Sequence, residues 1–132
     1  MACAAGVACV NYYEEANILE NVNAVGKVLG EILEDFIEKF TCVGDVRYIG
    51  LFSCVELVKD KTTKEPMVPY GKDPEGIMGK IIGMLKAKGF MTYSHENMIF
   101  VCPPLIITKE QLEEEMKKME EVLGVVEETF LI

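Results

Sequence analysis

The sequence predicts a two-layer α/β domain of the α+β kind, with helices packed on a small, mainly antiparallel sheet. Three observations lead there. The 132 residues suit one hydrophobic core and are too few for two ordinary domains, so residues 1–132 are expected to form one unit. Half of them are apolar and 27% are charged, which suits a chain that buries roughly two thirds of its unfolded surface. Apolar residues recur at helical steps of three and four in some stretches and crowd into short β-branched, aromatic runs in others.

The opening Ala2-Cys3-Ala4-Ala5-Gly6-Val7-Ala8-Cys9-Val10 is small and apolar all round, as in a helix that sits inside a larger body. Asn17 is placed to cap a second helix, with Glu20 three positions on as in a capping box. Val22, Val25, Leu29, Ile32, Leu33, Phe36 and Phe40 then form an amphipathic stripe that ends before Gly44. Between Asp45 and Val58 the residues turn β-branched and aromatic around Gly50, giving two strands or one long strand bent there.

Lys59 to Pro66 and on through Gly71 is polar and turn-rich, a surface loop. Asp73 is expected to cap a third helix, with Pro74 at its first position; Ile77, Met78, Ile81, Ile82 and Leu85 form its apolar face and Gly89 stops it. Gly76, Gly79 and Gly83 along that helix suggest close packing on the sheet. Phe90–His95 and Met98–Cys102 are expected as strands joined near Glu96-Asn97, ended by Pro103-Pro104 because proline donates no backbone hydrogen bond. Thr108 and Gln111 make a capping box for a last helix, whose stripe is Leu112, Met116, Met119, Leu123, Val126 and Phe130.

Charge narrows the function. Twenty-two acidic against 13 basic side chains leave a net charge of −9, which disfavours nucleic acid and anionic membrane as partners. No apolar run approaches the ~20 residues needed to cross a bilayer, and the first residues lack the pattern of a signal peptide. A cytoplasmic protein is expected. The five cysteines are scattered, without a C-x-x-C pair, and are expected to be buried free thiols rather than disulfides or metal ligands. His95 is the only histidine, which excludes a multi-histidine metal site.

Catalytic constellations are scarce. His95 beside a turn is expected to be exposed and idle, and the glutamates of 113–115 and 120–121 belong to a solvated helix face. No glycine-rich phosphate loop occurs. Arg47 is suited equally to a structural ion pair and to a ligand's carboxylate. Tyr93 and Phe100, on neighbouring strands, are either core or the wall of a pocket.

Three segments taken together resemble a known family. These are Ala2-Cys3-Ala4-Ala5-Gly6; Val43-Gly44-Asp45-Val46-Arg47-Tyr48-Ile49-Gly50-Leu51-Phe52 with Val55-Glu56-Leu57-Val58-Lys59-Asp60; and Ile99-Phe100-Val101-Cys102-Pro103-Pro104-Leu105-Ile106-Ile107-Thr108. In this order they are similar to the C-terminal part of class III pyridoxal-phosphate aminotransferases, and the last looks most like the taurine–pyruvate and ω-amino-acid enzymes.

The resemblance implies the small domain of a fold-type-I enzyme. That domain closes over the substrate while a large domain holds pyridoxal 5'-phosphate, and residues 1–16 would be the helix that packs on the large domain. The parent reaction would move an amino group from a small-molecule donor to a 2-oxo acid. No lysine here stands in the family's Schiff-base context, so no catalytic residue carries over; this chain alone is expected to bind no cofactor and to be inactive. Where many relatives have a carboxylate-binding arginine this chain has Phe100, and Tyr93 stands near the place of another. Arg47, Tyr93 and Phe100 are therefore the candidate substrate-binding residues. Tyr48 replaces a family glycine, which puts close backbone approach there in doubt. An apolar first helix without its large domain implies a homo-oligomer. The rival expectation is a stand-alone small-molecule-binding or regulatory module.

Overall fold

The computed structural model describes residues 1–131. Its elements are α1 (Ala2–Glu15), α2 (Ile18–Lys39), β1 (Val43–Ile49), β2 (Phe52–Asp60), β3 (Glu65–Pro66), α3 (Ile77–Ala87), β4 (Ser94–His95), β5 (Met98–Val101) and α4 (Lys109–Phe130). The strands form one antiparallel sheet in the order β1-β2-β5-β4, and β3 adds to the far end of β2. Helices α2, α3 and α4 cover one face of the sheet, and α4 packs on both of the others. The two-layer α/β expectation holds.

The stripes foreseen on α2 and α4 form the core. Leu29, Leu33 and Phe36 meet Val55, Leu57 and Ile99 of the sheet and Met116, Met119 and Leu123 of α4, all buried. Thr108 and Gln111 close the capping box as expected. Gly50, with φ of 56°, turns β1 back into β2, so the run around it is two strands.

Elsewhere the chain departs from expectation. Asn17 precedes α2 but adopts the left-handed conformation (φ 49°, ψ 42°) and makes no side-chain cap. It is needed to turn the chain from α1 into α2, and asparagine tolerates that region better than most residues. The loop after β2 contains the short β3, followed by buried Met67 and Val68. Helix α3 starts at Ile77, because Gly76 in a left-handed conformation ends a turn begun at Asp73. The Asp73 carboxylate still accepts from the backbone N–H groups of Ile77 and Met78, at 2.8 and 3.0 Å.

Residues 90–93 are not a strand. The hydroxyl of Thr92 donates to the Phe100 carbonyl that a ladder would use, and the prolines beyond offer no N–H.

The glycine stripe of α3 does not pack closely: a Cβ at Gly76, Gly79 or Gly83 would meet nothing within 4 Å. Close approach occurs on α2 instead, where a Cβ at Gly26 would lie 2.8 Å from the backbone of Gly50. Of the cysteines only Cys42 is buried; Cys3, Cys9 and Cys102 are exposed and Cys54 is half-buried, all as free thiols. Helix α1 packs on α2 and buries none of its residues.

Candidate functional site: the open face of the sheet

Side chains alternate across a strand, so the register that buries Val55 and Ile99 beneath the helices sends their neighbours to the opposite face. Arg47 of β1 lies opposite Cys54 of β2, which lies opposite Phe100 of β5. One step along, Asp45 faces Glu56 and Glu56 faces Met98, and His95 of β4 joins Met98 from the other side. No helix covers this face. Arg47 and Phe100 therefore share one surface, which Tyr93 joins by stacking on Phe100.

The aromatic side of the surface is a stack. The rings of Tyr93 and Phe100 are parallel to within 11° with centroids 5.1 Å apart, and Phe52 leans on Phe100 at 6.3 Å. Tyr93 and Phe52 are each 60% exposed, so the stack lies at the surface rather than in the core. A cleft of about 240 Å³ opens beside it, between Thr92, Pro103, Pro104 and the Leu112–Met116 turn of α4.

The polar side is an ion-pair network. The Arg47 guanidinium donates to Glu56 Oε2 at 2.6 Å and lies 3.3 Å from Asp45 Oδ2. Glu56 is held in turn by buried Asn97, whose Nδ2 is 3.3 Å from Oε1 and also donates to the Leu57 carbonyl at 2.9 Å. Arg47, the single arginine of the chain, is thus matched by two carboxylates. Phe52, Asp45 and Glu56 were not singled out as site residues. Their signal was the alternation Phe52, Cys54, Glu56 along one strand, which acquires meaning once the register is known.

The His95 side chain is exposed and makes no hydrogen bond among the described residues, while its backbone pairs with Met98. A lysine that adds covalently to a carbonyl needs a desolvated pocket that keeps its amine neutral. Here every lysine is exposed except Lys118, which is half-buried and paired with Glu115. The lysines of this chain do not fit pyridoxal phosphate. Among the described residues no group of three His, Cys, Asp or Glu side chains could hold a metal ion, and no helix is long and apolar enough to cross a membrane.

Comparison with known proteins agrees with this architecture. The family model "Aminotransferase class-III" matches residues 1–123. Taurine–pyruvate aminotransferase of Bilophila wadsworthia is 31% identical over 96% of this chain and 28% of its own length. Ethanolamine-phosphate phospho-lyase homolog 1 of Caenorhabditis elegans is 30% identical over 93% of this chain and 26% of its own. Among solved structures, taurine:2-oxoglutarate aminotransferase from Bifidobacterium kashiwanohense, in complex with pyridoxal phosphate and glutamate, superposes with a TM-score of 0.93. It is 48% identical over 98% of this chain and 29% of that one. This chain thus spans 26–29% of the length of these three proteins. A whole-chain fold match together with a family match over nearly all its residues places the chain in the pyridoxal-phosphate-dependent class III aminotransferase family.

Proposed function

We propose that residues 1–132 form the C-terminal small domain of a class III aminotransferase, which closes over a substrate held by a large domain outside this chain. The parent reaction in this reading transfers an amino group from a small-molecule donor, such as taurine or another ω-amino acid, to a 2-oxo acid such as pyruvate. Support comes from the match to taurine aminotransferases across almost the whole chain, combined with its span of under a third of their lengths. The single observation that carries the reading is the uncovered sheet face bearing Arg47, Tyr93 and Phe100.

Each residue has a part in that arrangement. Tyr93 and Phe100 wall the substrate and exclude water by their apolar faces. Arg47 stays with Glu56 and Asp45, so an acid group on the substrate competes with them for the guanidinium. Pyridoxal phosphate, where the parent enzyme binds it, supplies the electron sink for moving the amino group. Helix α1 docks on the large domain, and in the chain alone its exposed Val7, Val10 and Tyr12 draw copies together. Free thiols and the absence of a membrane-spanning helix among the described residues support a cytoplasmic setting.

The test is direct. Purified chain mixed with pyridoxal phosphate and an amine donor is expected to show no turnover and no stoichiometric, borohydride-fixable adduct on one lysine. Either would overturn the reading. Sedimentation is expected to show self-association that is lost when residues 1–16 are removed.

A further inference from the structure

One side chain ties the start of α2 to a loop more than eighty residues away in sequence. The backbone N–H of Asn21, in the first turns of α2, donates to the carbonyl of Asn17, the left-handed corner between α1 and α2. Its Nδ2 donates to the carbonyls of Leu105 and Ile107, at 2.8 and 3.1 Å. Those carbonyls lie in the loop that follows β5, a few residues beyond Phe100. The adjacent Val22 abuts the β1–β2 turn: a Cβ on Gly50 would lie 2.8 Å from its Cγ1. That turn leads into Phe52, the other aromatic leaning on Phe100.

We propose that Asn21 is a positioning residue, a strap that makes the α1–α2 corner and the aromatic wall move as one body. The geometry favours such a device over a cap or a core contact. The amide nitrogen spans two carbonyls of a loop that offers few other backbone bonds, Ile107 N–H to Pro104 being one. Leu105 and Ile106 are exposed, so the buried Ile107 side chain and the Asn21 amide are what hold that loop. Rotation at Asn17 therefore reaches Phe100 from the loop side through Asn21, beside the Val22 contact with the β1–β2 turn, and a shift of α1 re-aims Phe100. The strap rests on the reading of Tyr93 and Phe100 as the substrate wall only for its use, because the linkage exists whether or not a substrate binds.

Amide hydrogen exchange on the full chain tests it, with Asn21→Asp as the main variant. The carboxylate matches the amide in size, keeps a helix start favourable, and removes the donor. The amides of Ile107 and Phe100 are expected to exchange roughly tenfold faster, as the loss of a part-buried hydrogen bond implies, while Ile81 in α3 stays unchanged. Asn21→Ala should act alike. Asn17→Ala, which strains the corner, is expected to speed Ile107 in the wild-type background and to add less than its full effect in the Asn21→Asp background. Unchanged exchange at Ile107, an equal rise at Ile81, or additive effects of the two substitutions would each overturn the strap. An unchanged KM for the amino donor and the 2-oxo acid in Phe100 variants of a complete enzyme would count against the wall and leave the strap standing.

Discussion

A Cβ built on Gly30 would lie 2.6 Å from Cε2 of Tyr48, so the phenol ring fills the space that any other residue at position 30 would claim. The hydroxyl continues past it to donate to Glu34 Oε1 at 2.5 Å. The close approach at this point is therefore between a helix glycine and the ring of Tyr48.

Tyr48 should therefore titrate late. Its hydrogen bond to Glu34 holds the phenol above its ordinary value of 10.0, with loss of solvent and the Glu34 charge adding to the effect. A folded pKa above the unfolded one means that this contribution to stability is full below pH 10 and is lost as pH rises through the raised value. Ultraviolet titration is expected to show one of the five tyrosines ionising late, and Tyr48→Phe should abolish that phase.

Two glycine substitutions should have opposite signs. Gly26→Ala places a methyl 2.8 Å from the rigid backbone of Gly50, and overpacking of about 1–3 kcal/mol outweighs a helix-propensity gain of about 1 kcal/mol. Gly83→Ala meets open space and should stabilise the chain by about 1 kcal/mol. Urea unfolding at constant m-value measures both.

Asp73→Ala is expected to destabilise by about 1–2 kcal/mol, since it strips the acceptor from two N–H groups at the start of α3. A loss of helicity confined to residues 77–80, read by amide exchange, would accompany it.

Thiol reactivity should divide the cysteines. Burial, with the nearby Glu127 charge, pushes the Cys42 thiol from 9.0 up to about 12. At pH 8 a maleimide or disulfide reagent should label the exposed Cys3, Cys9 and Cys102 and spare Cys42 until the chain unfolds. Because the folded value is the higher one, stability from this group is complete below about pH 9 and declines towards pH 12. Cys42→Ala should flatten that decline.

Arg47→Met should cost under about 1 kcal/mol, as its side chain is 56% exposed and surface ion pairs contribute little. Thermal unfolding reads this. A larger loss would make the network a structural clasp rather than a feature of the site.

Local signals were legible and distant ones were not. The stripes of α2 and α4 and the Thr108–Gln111 box depend on residues within a turn of one another, and all three appear where the sequence put them. The pairing of Arg47 with Glu56 spans nine residues and needs the hairpin register. Phe52 and Phe100 needed the β2–β5 register to come together, and Tyr93 the turn beyond it. β3 has only two residues and carries no periodicity to detect. Glycine spacing alone could not separate α2, where Gly26 and Gly30 are pressed against the sheet, from α3, where Gly79 and Gly83 look outward. Exposure of four cysteines to differing degrees reflects α1 and the sheet face lying bare, which apolar context by itself does not reveal.

The bare side of the sheet also governs how the protein behaves in a concentrated sample. At neutral pH the surplus of nine negative charges opposes further, sheet-to-sheet association through Ile49 and Phe52, 78% and 60% exposed. Acidification towards pH 4.6 removes that mutual repulsion while leaving the adhesive patch intact. Turbidity on mild acidification, reversed by returning to neutral pH, is the colloidal signature of a sheet dressed on one side only.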